Sequence, residues 1–60
     1  MASLIIEIER FLRKHDMAET RFGREATRDP RFVADLRGGR ALRPATEAKV
    51  RGFMEGYGSE

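Results

Sequence analysis

The sequence predicts an all-α protein: a compact four-helix domain with two short central helices set at a corner. Three observations predict it. Apolar residues recur at helical spacing in four separate segments. Pro30, Gly38-Gly39 and Pro44 fall between those segments, where the chain must turn or a helix must start or stop. The chain has 60 residues and no cysteine, which bounds it to one small domain without disulfides or thiolate metal sites. The expected helices cover about 3–14, 18–27, 30–37 and 44–57, with a disordered tail at 58–60.

In the first helix, Leu4, Ile5, Ile8, Phe11 and Leu12 form one broad apolar stripe, and Ser3 stands where a cap belongs. Glu9 and Arg13 make a favourable i,i+4 pair on the outside, while Ile6 falls off the stripe. His15-Asp16 ends the helix, with the imidazole expected in solvent beside the negative end of the helix dipole. Met17 is expected to plug the entry to the second helix. That helix places Phe22, Gly23 and Ala26 on one face, and the two small residues let another helix cross close to the backbone. Arg21, Arg24 and Arg28, at i, i+3 and i+7, form a basic stripe opposite if the helix holds that far, and Glu25 pairs with Arg21. Arg24 and Arg28 are suited to phosphate.

Asp29-Pro30 announces the third helix. The carboxylate can cap free N–H groups, proline suits the first helical position, and proline disfavours helix at Asp29 itself. Phe32, Val33 and Leu36 turn inward, leaving Arg31, Ala34, Asp35 and Arg37 on or near the outer face. Gly38-Gly39 stops the helix and opens a loop carrying Arg40 and Arg43, with Leu42 returning to the core. Pro44 starts the last helix, in which Val50, Phe53, Met54 and Tyr57 form the inward stripe and Glu47 pairs with Arg51. Gly52 and Gly56 weaken it by about 1 kcal/mol each.

The charge distribution points to a partner. The net charge is +2, yet residues 21–43 hold seven arginines against Glu25, Asp29 and Asp35, and the segments on either side are each slightly acidic. Ten of the twelve basic residues are arginine, the side chain suited to bidentate phosphate and guanine contacts. Such clustering is the electrostatic footprint of nucleic-acid binding.

Two short helices with a tight corner form the helix-turn-helix unit. The segment 17–54 resembles the lambda-repressor-like (Cro/repressor) DNA-binding domains. Phe22, Val33 and Leu36 stand at that family's apolar positions and Gly23 and Ala26 at its small ones. Gly39-Arg40-Ala41-Leu42-Arg43-Pro44 matches its glycine, basic residues and proline after the recognition helix. Thr27 and Pro30 stand where the family usually has a glycine and a polar base reader. The resemblance implies sequence-specific binding of double-stranded DNA by a small transcriptional regulator, with helix 30–37 in the major groove. It assigns Arg31 to guanine, Ala34 to a thymine methyl, and Asp35 to a cytosine amino group or to orienting Arg31. Arg40 and Arg43 are assigned to the backbone phosphates, beside Arg24, Arg28 and Arg37. A surface ion pair between Arg31 and Asp35 is the other account of those two residues. A homodimer on a pseudo-palindrome is expected, joined through the first or last helix.

No nucleophile–base pair, metal cluster, phosphate loop or pocket-sized core is legible, so an enzyme, a cofactor, a small-molecule substrate and a metal are not expected. No apolar run approaches the roughly 20 residues of a membrane span, and the start lacks the pattern of a signal peptide. The expected location is the cytoplasm, on the nucleoid when DNA is bound. The competing function is a helical protein-interaction module, antitoxin-like or an adaptor, built on the same scaffold.

Overall fold

A computed structural model describes residues 3–57, and the tail expected at 58–60 lies outside them. The fold is all-helical: α1 (Leu4–Lys14), α2 (Glu19–Thr27), α3 (Phe32–Arg37) and α4 (Pro44–Gly56). The body measures 32 × 24 × 20 Å. α2 is the central rod, with α3 and α4 packed on it, while α1 lies against α3.

The apolar stripes meet in one core of Ile8, Phe11, Met17, Phe22, Ala26, Phe32, Val33 and Val50. Phe22 is its hub. Its ring meets Phe11 edge-on at 5.5 Å and Phe53 at 5.3 Å, the orientation that aligns positive ring edge with negative face. The sixteenth residue turns the chain between α1 and α2. Asp16 adopts a left-handed φ of 50°, so the Met17 N–H bonds back to the Leu12 carbonyl at 2.9 Å and the Met17 side chain drops into the core. His15 does not point into solvent as expected. It is half-buried, its ring 4.4 Å from Phe11 and 4.9 Å from the edge of Tyr57. Ser3 occupies the cap position of α1, but its carbonyl, not its hydroxyl, serves the helix, accepting from Ile6 and Glu7.

The chain passes close to its own backbone at Gly23. A Cβ there would run into the Asp29 carbonyl oxygen and stand 3.2 Å from the Phe32 Cβ. The missing side chain is therefore what lets the chain fold back on α2 and seat α3 against it. The Asp29 N–H and the Thr27 hydroxyl both donate to the Gly23 carbonyl, at 3.1 and 2.9 Å, which closes the corner.

α3 starts later than expected, at Phe32 instead of residue 30. Asp29 accepts the Arg31 N–H with Oδ1 at 3.0 Å and the Phe32 N–H with its carbonyl at 3.0 Å. Arg31 sits at φ −94°, ψ 3°, the third position of a type I turn that begins with Asp-Pro. Asp29-Pro30 therefore builds a turn ahead of the helix instead of capping it, Pro30 is not its first residue, and α3 is shortened to six residues. α3 ends as its glycines require. Gly39 takes a φ of +102°, and the Arg40 N–H then reaches back to the Asp35 carbonyl at 3.1 Å. Pro44 occupies the first turn of α4, whose buried anchor is Val50.

Candidate nucleic-acid interface

Exposed arginines stand on α2, at the α2–α3 corner and just before α3. Arg24 lies on the exposed side of α2, Arg28 caps the end of that helix, and Arg31 precedes α3; all three are exposed. The stripe expected along α2 is broken at its end. The helix stops at Thr27, and Arg28 takes a left-handed conformation (φ 63°, ψ 25°), its N–H donating to the Arg24 carbonyl at 3.0 Å. Arg28 thus projects from the corner itself. Ala34 and Asp35 are exposed on α3, and Arg43 is exposed at the cap position of α4.

Ion pairing separates these arginines into two groups. Arg21 pairs with Glu25 at 2.6 Å, as its i,i+4 spacing predicts. Arg37 turns away from the corner toward the body, where its guanidinium meets Glu9 at 3.1 Å and Glu19 at 3.0 Å. Glu19 and then Glu9 raise its pKa above the ordinary arginine value. Arg37 therefore ties α3 to α1 and α2, and its guanidinium, expected in the phosphate set, is engaged by two carboxylates while remaining about half exposed. Arg40 is also engaged, 3.3 Å from Asp35 and 3.5 Å from Asp29. The surface pair of Arg31 with Asp35 does not form; the Asp35 carboxylate is turned to Arg40 instead. Among the described residues, Arg24, Arg28, Arg31 and Arg43 have no carboxylate partner.

The structure brings Asp29 and Asp35 together on Arg40, with the Asp29 carboxylate also accepting the Arg31 N–H, and it engages Arg37 elsewhere, with Glu9 and Glu19. Sequence reasoning missed the partners of Arg37 and Arg40. Glu9 and Glu19 are 28 and 18 positions from Arg37, distances at which no local spacing signals a contact. The Arg40–Asp35 pair did leave a signal, a double glycine whose left-handed turn folds the next residue back onto the helix end.

α1 and α4 are joined by Arg51, which reaches Glu7 at 2.9 Å and Glu47 at 2.9 Å. A shallow groove of about 280 Å³ lies between these helices, floored by Phe11 and Met54 and rimmed by charged side chains. Among the described residues no helix is long and apolar enough to cross a membrane. No family model, curated protein or solved structure matches the chain.

Proposed function

We propose that the chain is a sequence-specific double-stranded DNA-binding domain, a small transcriptional regulator that presents α3 to the major groove. The observation that carries this reading is the set of exposed arginines without carboxylates, three of which flank the corner that begins α3. Arg24, Arg28 and Arg43 bind phosphates and fix orientation, while Arg31 and Ala34 face base edges. Arg37 is spent on the fold. The resemblance of residues 17–54 to lambda-repressor-like domains supports the same docking. The chemistry asked of these residues is binding alone, with no reaction and no cofactor.

The size of α3 sets the stoichiometry. Six residues span about 9 Å, enough for roughly three base pairs. One such unit discriminates too little to select a genomic site, so two copies are required, on half-sites about one helical turn apart. Pairing through α1 or α4 leaves Arg24, Arg28 and Arg31, which lie outside those helices, free to meet the duplex.

The second reading, a protein-interaction module, draws on Asp29 and Asp35, which put negative charge where phosphate is to dock. Salt titration separates the two. Each phosphate neutralised contributes about −0.9 to the slope of log K against log salt, so Arg24, Arg28 and Arg43 together predict a slope of roughly −2.7. Anisotropy with labelled mixed-sequence duplex between about 50 and 200 mM salt measures it. A flat response, or no binding at the lowest salt, favours the protein partner.

A further inference from the structure

Arg40 is held in a defined place for reasons that begin in the backbone. Gly39, at φ +102°, reverses the chain, and the Arg40 N–H is pinned to the Asp35 carbonyl at 3.1 Å. The same reversal returns the side chain over α3, where Nη1 lies 3.3 Å from Oδ2 of Asp35 and 3.5 Å from Oδ2 of Asp29. Asp29 reaches this position because its other carboxylate oxygen is fixed by the Arg31 N–H. Two carboxylates, one from the turn before α3 and one from within it, therefore converge on one guanidinium. The charges remain about half exposed (51% for Arg40, 46% for Asp35, 41% for Asp29), so the contact is one that a competing anion can reach.

We propose that Asp29 and Asp35 are specificity-determining residues that occupy Arg40 in place of phosphate. This inference rests on the DNA reading above. Any duplex offers phosphates, so an arginine free to bind them raises affinity for every sequence alike. A guanidinium already satisfied by two carboxylates adds nothing to that indiscriminate term. A phosphate that takes Arg40 must first break those ion pairs, a cost that a duplex without favourable base contacts does not recover. Discrimination is a difference of affinities, and a penalty on wrong partners widens it as effectively as a bonus on the right one. Exposed ion pairs are weak, so the penalty is bounded at about two- to fivefold per pair. That is small against the binding of a cognate site but applies to every non-cognate one.

The test is a double-mutant cycle on the full chain, read by salt-dependent binding of a mixed-sequence duplex. Asp35→Asn keeps the shape of the side chain and removes its charge. Asp29→Asn does the same and keeps an oxygen to accept the Arg31 N–H. Each is expected to raise affinity for mixed duplex about two- to fivefold at low salt and to steepen the slope by up to about 0.9, as Arg40 becomes a phosphate ligand. In an Arg40→Gln background the same substitutions should leave the slope unchanged. An equal gain with and without Arg40 overturns the proposal, because the aspartates then act only by general repulsion. No gain in the presence of Arg40 overturns it as well. If neither the parent chain nor any variant binds duplex at low salt, the DNA reading itself falls and takes this inference with it.

Discussion

Arg28 occupies a backbone conformation that favours glycine. Its φ of 63° brings Cβ against the following carbonyl, a cost of about 1–2 kcal/mol for a residue with a side chain. The turn itself is required, since Asp29 must reach back to the Gly23 carbonyl. An arginine at this position loosens the fold and gains nothing from it, for its side chain has no carboxylate partner among the described residues. Arg28→Gly relieves the strain, while the extra freedom of glycine in the unfolded chain returns part of the gain. The expected net is a stabilisation of roughly 0.5–1 kcal/mol, measured by thermal or urea unfolding. On the DNA reading the same variant binds duplex more weakly, with a slope shallower by about 0.9. A variant that is more stable and binds DNA with an unaltered slope would remove Arg28 from the interface. Nothing in the sequence marks this position as left-handed, because the signal for such a turn is normally a glycine or asparagine, and here Thr27-Arg28-Asp29 gives neither.

At the scale of elements, the corner between α2 and α3 depends on one absent methyl group. Gly23→Ala sets its Cβ against the carbonyl of Asp29, an atom of the backbone that cannot swing aside. Overpacking of this kind costs about 1–3 kcal/mol, or more where backbone must move. The expected outcome is a large fall in melting temperature by circular dichroism, and a melting point within a degree of the parent would show that the corner yields freely. Gly52 in α4 is the opposite case. It is exposed, and a Cβ there meets nothing within 4 Å, so no neighbouring helix uses the gap. Gly52→Ala should stabilise by about 1 kcal/mol through helix propensity alone.

The two glycines also show what sequence conveys about elements. The apolar period located all four helices, and the missing side chain at Gly23 announced a close crossing, because both signals are local. The start of α3 was misplaced by two residues for an equally local reason. Asp29-Pro30 is compatible with a helix cap and with a type I turn, and the turn prevails because Asp29 must serve α2 and α3 at once. The ties that Arg37 makes to Glu9 and Glu19 were not legible at all, being products of the packing of α3 against the earlier helices.

For the molecule as a whole, charge and stability are linked. Residues 21–43 carry a local excess of +4; among the described residues four of their arginines have no carboxylate partner, while Arg21, Arg37 and Arg40 are met by carboxylates, Arg37 by two from outside that segment. The core beneath is small, with Phe22, Phe32, Ile8, Val33 and Val50 the largest side chains fully enclosed. A chain of this length buries only about 60% of its unfolded surface, so its intrinsic stability is low. Like charges gathered on one corner lower it further, and an anionic partner that neutralises them acts as part of the fold. Duplex DNA that binds only the folded chain, present at about 100 times its Kd, adds about 2.7 kcal/mol. In a domain this small that corresponds to a rise in melting temperature of roughly 10–20 °C. The measurement is a thermal melt with and without mixed duplex at low salt. Because affinity falls with salt at the slope argued above, the rise should shrink at a fixed duplex concentration as salt is added. A melting temperature indifferent to duplex at every salt concentration would mean that the four arginines serve some other surface than nucleic acid.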